Sequence, residues 1–74
     1  MQSKRLLNLL SQYDVNVDCI LSNRILMHYN DVKYKIYYDV TDKTYYLYCG
    51  NEIVIEHLPY TTFKVAMEEF LINF

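Results

Sequence analysis

The chain has few of the residues that build phosphate-binding loops or interrupt secondary structure. Its 74 residues include one glycine, one proline and no tryptophan. A loop that cradles a phosphate with backbone amides needs several glycines, so the sequence excludes a glycine-rich nucleotide site. The scarcity of glycine and proline also leaves no linker, and no segment is repeated or of low complexity. We therefore expect residues 1–74 to form a single domain.

Cysteine and long apolar runs are scarce as well. Cys19 and Cys49 are the two cysteines, and the N-terminus shows Lys4 and Arg5 followed by short leucine pairs. It lacks the small-residue cleavage site of a secretory signal. No apolar run approaches the roughly 20 residues of a membrane span. We expect a soluble cytoplasmic protein with free thiols and no membrane partner.

Charge of either sign is modest, whereas apolar and aromatic residues are abundant. The net charge is −2, which gives no general attraction to nucleic acid or anionic membranes. The apolar fraction of 53% and the nine tyrosines indicate a folded globule. Richness in tyrosine, isoleucine, asparagine and lysine, with little glycine, alanine, arginine and proline, is typical of AT-rich coding DNA. In so small a chain it favours a phage or mobile-element protein.

Residues 24–58 contain short β-type runs separated by tight turns. Asn30-Asp31 and Gly50-Asn51 are two-residue turn signals, because these residue types tolerate the positive φ that hairpin turns require. The first turn pairs Tyr29 with Val32, and the second pairs Tyr48 with Ile53. The stretch therefore predicts a four-stranded antiparallel meander.

The turn between the third and fourth strands decides which side chains share a face. A three-residue loop, Thr41-Asp42-Lys43, sets Val40 opposite Thr44, and only such an odd loop makes all three hairpins agree. The predicted inner face is then Ile25, Met27, Tyr29, Val32, Tyr34, Ile36, Tyr38, Val40, Tyr46, Tyr48, Ile53 and Ile55.

Helices are predicted on both sides of the meander. Leucines at helical spacing predict a helix from Ser3 to Tyr13, with Ser3 as its cap. After Pro59, an apolar stripe predicts a C-terminal helix capped by Thr61 or Thr62. The stripe comprises Phe63, Ala66, Met67, Phe70, Leu71 and Phe74.

The segment Val15–Leu21 alternates as a strand does but also fits helical spacing. We favour a fifth strand that turns at Ser22-Asn23, because aspartate and asparagine disfavour a helix interior. The predicted fold class is α+β: an N-terminal helix, an antiparallel β-meander of four or five strands, and a C-terminal helix packed on one sheet face.

The opposite sheet face carries the candidate binding residues. In the predicted register Tyr37 pairs with Leu47, and Leu47 pairs with Val54. An apolar and aromatic strip edged by charge is typical of an association surface. The predicted partner-binding residues are Tyr37, Leu47, Tyr45, Leu26, Val54, Lys33 and Lys35.

Catalytic, metal and cofactor sites find little support in the sequence. The spacing of Cys19, His28, Cys49 and His57 matches no zinc-binding pattern. No basic residue lies next to Cys49 in the sequence to activate its thiol. The carboxylates Glu68-Glu69 are adjacent on a helix and point in different directions. We expect no enzyme activity, no metal and no cofactor.

Nucleic-acid binding is the alternative. The order helix, three or more strands, helix is similar to that of the double-stranded RNA-binding domain. Those domains carry a basic cluster at the start of the last helix, whereas this chain has Lys64 and then Glu68-Glu69 there. Exposed tyrosines could stack on single strands, but Arg24, Lys33 and Lys35 would neutralise few phosphates.

We therefore predict a small non-catalytic protein-interaction module that acts by steric blocking. Its most specific form is an accessory protein of a phage or mobile element that inhibits a host protein, such as a defence factor. Homodimerisation through the open face or an edge strand is also expected, because a chain this small is marginally stable alone.

Overall fold

Five strands follow one another in sequence order and lie between two helices. In the computed structural model, which describes residues 1–73, the elements in order are α1 (Ser3–Ser11), β1 (Asn16–Leu21), β2 (Arg24–Tyr29), β3 (Val32–Asp39), β4 (Thr44–Cys49), β5 (Glu52–Leu58) and α2 (Tyr60–Ile72). The strands form one antiparallel sheet in the order β1-β2-β3-β4-β5. The α+β prediction is confirmed, and the ambiguous segment 15–21 contains the additional strand, which is β1.

Local turn chemistry fixes the first hairpin of the predicted meander. Asn30 and Asp31 have φ values of 52° and 63°, and Tyr29 pairs with Val32 as predicted. Because Asn and Asp tolerate this left-handed backbone, the two-residue turn holds the register along β2 and β3. Gly50, at φ 61°, opens the last turn, and Tyr48 pairs with Ile53 there, also as predicted.

The turn between β3 and β4 differs from the prediction. It contains four residues, 40–43, and pairs Asp39 with Thr44. The Asp39 carboxylate accepts hydrogen bonds from the backbone N–H groups of Thr41, at 3.0 Å, and Asp42, at 3.2 Å. The Lys43 N–H donates to the Asp39 carbonyl at 2.7 Å, and Lys43 takes φ 56°. Asp39 thus starts the turn one residue earlier than the odd loop requires.

That one-residue difference exchanges the two faces of β4. Leu47 pairs with Ile36 and is 0% exposed, and Tyr45 is 2% exposed. The prediction that Leu47 and Tyr45 lie on the open face is therefore wrong. Tyr46 and Tyr48, predicted to lie in the core, are instead partly exposed on the opposite face.

Strand β5 keeps part of the predicted orientation because it is bulged. The pairs Leu47–Ile55 and Tyr48–Ile53 leave Val54 as an extra residue between them. Ile55 consequently packs against the core as predicted, whereas Ile53 is exposed. Val40, also predicted to be internal, lies in the four-residue loop and is exposed.

The core lies between the inner face of the sheet and both helices. Its buried members come from α1, α2 and strands β2 to β4: Leu6, Leu9, Leu10, Ile25, Met27, Tyr29, Tyr34, Ile36, Tyr45, Leu47, Phe63, Met67 and Leu71. Nonpolar burial of this kind is the main source of stability in a domain of this size. Since both helices contribute to this one core, they cover the same face of the sheet.

Two hydrogen bonds attach the helices to the sheet. The Tyr29 hydroxyl donates to the carbonyl of Leu71 in α2 at 3.0 Å, and the Gln2 N–H donates to the Tyr45 hydroxyl at 2.8 Å. Phe70 packs edge-on against the ring of Tyr34 at 5.3 Å. These contacts join each helical end to a buried tyrosine of the inner face.

The helix boundaries correct three sequence predictions. Helix α1 ends at Ser11 instead of Tyr13, and its N-cap is Gln2, which makes no side-chain cap. Helix α2 begins directly after Pro59, which also cannot cap through a side chain, so Thr61 and Thr62 lie inside the helix. Proline suits this position because its φ is preset and it needs no amide partner. The predicted contribution of Phe74 lies outside the described residues.

Candidate functional site

The sheet face opposite the helices is left uncovered by the core. We call it the outer face and define it by the side chains that alternate with the buried ones: Arg24, Leu26, His28, Lys33, Lys35, Tyr37, Tyr46, Tyr48 and Ile53. Each of these residues is partly or fully exposed. Cross-strand pairs run straight across this face, for example Leu26 with Lys35 and Lys35 with Tyr48.

Three tyrosines form a cluster at its centre. Tyr46 and Tyr48 lie two residues apart on β4 and therefore project from the same face, with their rings stacked at 5.7 Å and an interplanar angle of 22°. The ring centroid of Tyr37 on β3 lies 6.0 Å from that of Tyr46 and 6.5 Å from that of Tyr48. The ring of His57 on β5 lies 5.9 Å from that of Tyr46. We call Tyr37, Tyr46 and Tyr48 the tyrosine cluster.

The environment of the cluster raises the pKa of the Tyr46 phenol. Desolvation raises it above its ordinary value of 10.0, and the nearby Asp39 carboxylate raises it further. Both effects disfavour the phenolate.

Basic side chains border the cluster on the β2–β3 side. The Lys35 ammonium lies 4.8 Å from the centroid of the Tyr48 ring, a cation–π geometry. Arg24 stands opposite Tyr37 and Lys33 opposite His28. Tyrosine and cation therefore alternate across the outer face.

Two of the acidic groups near this face have hydrogen-bond partners. The Asp18 carboxylate pairs with His28 Nδ1 at 2.9 Å, and the Asp39 carboxylate accepts the turn amides described above. Within residues 1–73, the His28–Asp18 contact is the one ion pair closer than 4 Å. Arg24, Lys33 and Lys35 therefore make no ion pair within that distance in the described part of the chain.

A shallow groove of about 480 Å³ runs along the basic side of the outer face. Leu26 contributes an apolar wall, while His28, Lys33 and Lys35 line it with nitrogen donors. Asp18 and Gly50 lie at its margin. A groove of this composition suits an extended segment with both apolar and negatively charged groups.

A second groove, of about 340 Å³, lies between the two helices. Its lining is more polar and includes Asn8, Gln12, Lys64 and Glu68. The Arg5 guanidinium lies 5.8 Å from the centroid of the Tyr60 ring. Burial raises the pKa of Tyr60, although Arg5 opposes that shift. Arg5 and Lys64 bring two positive charges to the lining of this groove, and Glu68 brings one negative charge.

The structure brings together four of the seven residues predicted for partner binding. Leu26, Lys33, Lys35 and Tyr37 lie on the outer face. The other three do not join them: Tyr45 and Leu47 are buried in the core, and Val54 is exposed in the β5 bulge without a cross-strand partner.

The sequence prediction missed Tyr46 and Tyr48, which supply most of the aromatic surface. Tyr37 pairs with Tyr46, not with Leu47. The signal that would have found them is Asp39, because an aspartate followed by Val-Thr-Asp favours a turn that begins at the aspartate itself.

The remaining candidate features are metal ligands, cysteine thiols and membrane-spanning helices. In residues 1–73, no three His, Cys, Asp or Glu side chains converge in a way that could hold a metal ion. Cys19 is an exposed free thiol and Cys49 a partly buried one. Neither α1 nor α2, the helices of the described residues, is long and apolar enough to cross a membrane.

Comparison of the chain with protein-family models, curated proteins and solved structures found no match.

Proposed function

We propose that the protein is a non-catalytic binding module whose outer face contacts a partner protein. The observation that carries the proposal is the tyrosine cluster, which stands on the one sheet face that neither helix covers. Tyrosine is enriched in protein interfaces because it buries a large ring, loses little conformational entropy and keeps a hydroxyl for hydrogen bonding.

The chemistry of the outer face specifies the kind of partner. Arg24, Lys33 and Lys35 border the cluster and make no ion pair within 4 Å among the described residues. A complementary surface would place apolar or aromatic side chains on the tyrosines and carboxylates opposite these cations. We therefore propose a protein partner with acidic side chains around an apolar centre.

The ring geometry favours a protein over a single-stranded nucleic acid. Bases stack on aromatic side chains whose ring faces are free. Here Tyr46 and Tyr48 stack on each other, and the Lys35 ammonium lies over the ring of Tyr48. Three cations would also neutralise few phosphates in a protein whose net charge is −2.

The proposed mechanism is steric. The strands that carry the outer face are held by a core on one side and by ladder pairing to their neighbours, so the face is preorganised and little order is lost on binding. A partner covered by it would lose access to its own ligand. The composition favours the specific form of this proposal given above, a phage or mobile-element protein that blocks a host protein.

Site-specific photo-cross-linking tests this proposal. A benzophenone amino acid at position 46 should yield a cross-linked protein adduct in a lysate of cells that carry the gene. The same amino acid in place of Val65, an exposed residue of α2, should not, because that position lies on a helix and not on the outer face. Adducts formed equally from both positions would contradict the proposal.

An oligonucleotide-binding assay distinguishes nucleic-acid binding, the alternative function, from protein binding. Salt-sensitive retention of an oligonucleotide by the purified protein, abolished by Lys33→Glu combined with Lys35→Glu, would replace the protein partner with a nucleic acid. We expect no such retention at physiological salt.

A further inference from the structure

Strand β1 is an edge strand whose six side chains are all exposed. It pairs with β2 on one side only, so the other side presents unpaired backbone amides and carbonyls. Val17, Ile20 and Leu21 are 37%, 50% and 38% exposed. An exposed edge with apolar side chains is a template for pairing with another strand. We propose that two copies of the chain pair antiparallel through β1, so that their sheets form one continuous sheet.

A bulge aligns the apolar side chains of β1 on the core side of the sheet. Val17 pairs with Met27 and Ile20 pairs with Ile25, which leaves Asp18 as an extra residue between them. Val17 and Ile20 therefore share the inner face with Met27 and Ile25, both of which are buried. The apolar layer of the core thus extends onto β1.

The helices cover this extension of the core only in part. Helix α2 packs mainly on β4 and β5, and its last turn reaches β2 through the Leu71 carbonyl, which accepts a hydrogen bond from the Tyr29 hydroxyl. Val17 and Ile20 form an apolar rim that stays 37% and 50% exposed. Pairing with a second copy would place the rim of that copy beside this one and remove both from water.

The sequence of β1 is self-complementary in a two-fold arrangement. With the axis between Asp18 and Cys19, Val17 lies opposite Ile20 of the second copy, and the same pair occurs twice. All four side chains lie on the inner face, because a two-fold axis perpendicular to the sheet keeps the faces equivalent. Asp18, the one charged residue of β1, faces Cys19 of the second copy, and the Asp18 carboxylate is already paired with His28 of its own chain at 2.9 Å.

The other edge of the sheet is better protected, which favours a closed dimer. Strand β5 carries two carboxylates, Glu52 and Glu56, and its pairing with β4 is irregular at two points, whereas β1 has one carboxylate, Asp18, and one irregular point. Charges and bulges are the usual protection of an edge strand. Pairing of β1 with β5 would also be head-to-tail and would continue into a filament, whereas pairing of β1 with β1 closes after two copies.

Concentration-dependent mass tests the proposal. A six-residue edge buries a small interface, so we expect a reversible dimer with a dissociation constant on the order of micromolar. Sedimentation equilibrium should show a shift from monomer to dimer as concentration rises. Ile20→Lys should weaken the dimer at least about tenfold, because the new charge would be desolvated opposite Val17. A protein that stays monomeric up to about millimolar concentration would overturn the proposal.

The matched control is Val65→Lys, which introduces the same charge at an exposed apolar position of α2. It should leave the dissociation constant unchanged. Equal weakening by Ile20→Lys and Val65→Lys would overturn the proposal, as would a dimer that Ile20→Lys leaves intact. Circular dichroism would check that both variants are folded.

Cross-linking gives a test that leaves the apolar residues of β1 unchanged. In the Cys49→Ser variant, a short bis-maleimide should join Cys19 to Cys19 of the second copy, because both thiols flank the proposed axis. The Cys19→Ser variant, which retains Cys49, should give no covalent dimer. A solution dimer that Cys19 fails to cross-link, or one lost on Tyr48→Ser instead of Ile20→Lys, would place the interface elsewhere and overturn the proposal.

Discussion

Two adjacent residues of β4, Leu47 and Tyr48, give opposite predictions for the two possible registers of the sheet. Leu47 is fully buried beside Ile36 and Ile55, so Leu47→Ala removes packed methyl groups and leaves a cavity. Such truncations cost about 2–5 kcal/mol. Single domains are stable by roughly 0.05–0.15 kcal/mol per residue, which is about 4–11 kcal/mol here. Leu47→Ala should therefore remove a large part of the free energy of unfolding.

Tyr48 provides the matched comparison on the same strand. Tyr48→Thr keeps a residue of high β-propensity at this strand position and loses the stacking on Tyr46 and the Lys35 contact. Surface aromatic and cation–π contacts contribute about 0.5–1.5 kcal/mol each. Urea unfolding followed by circular dichroism measures both variants. If Tyr48→Thr costs more free energy than Leu47→Ala, then Tyr48 is the buried residue and the register described here is wrong.

Two further predictions concern the core tyrosines and the β3–β4 turn. Burial raises the pKa of Tyr34 and Tyr45 above 10.0, so the folded state holds these protons more tightly than the unfolded state. The contribution of these two phenols to the free energy of unfolding should be fully present below pH 10 and should be lost as the pH rises above it. A urea midpoint that is unchanged from pH 9 to pH 11 would contradict this. Asp39→Ala should lower the free energy of unfolding by about 1 kcal/mol, since the amides of Thr41 and Asp42 lose their acceptor. Asp39→Asn should restore most of that loss in the same urea assay.

The parts of the fold that follow from local chemistry were predictable from the sequence. Asn30-Asp31 tolerates positive φ, and the hairpin it forms has the predicted register. The stripe Phe63, Met67 and Leu71 repeats at helical spacing and is buried as expected. Alternation of apolar and polar residues in segment 16–21 likewise indicated a strand.

The division of the sheet into two faces was not predictable from alternation alone. In β4 the run Tyr45-Tyr46-Leu47-Tyr48 is apolar at every position, so either set of side chains could face the core. Which set faces the core depends on the Asp39 carboxylate, which stabilises the four-residue turn by accepting hydrogen bonds from two backbone amides. An aspartate at this position can make these contacts but does not have to. Because the predicted turn was one residue too short, Tyr46 and Tyr48 were assigned to the core and Tyr45 and Leu47 to the open face.

Bulges also escaped the sequence prediction. Val54 and Asp18 are each the extra residue of an irregular pair, and each changes which neighbours share a face. A bulge depends on how two strands fit across the sheet, so no single segment encodes it. For this reason β1 presents Val17 and Ile20 on one face, although they are three positions apart and would lie on opposite faces of a regular strand.

The affinity of the purified partner for outer-face variants tests the proposed function most directly. Isothermal titration calorimetry would compare the unaltered protein, the Tyr46→Ser, Tyr48→Ser double variant and the Val65→Ser control. Loss of one central interface tyrosine costs about 2 kcal/mol, or about 30-fold in dissociation constant. We predict a loss of at least that size for the double variant and no change for Val65→Ser. An unchanged dissociation constant in a folded double variant would contradict binding through the outer face.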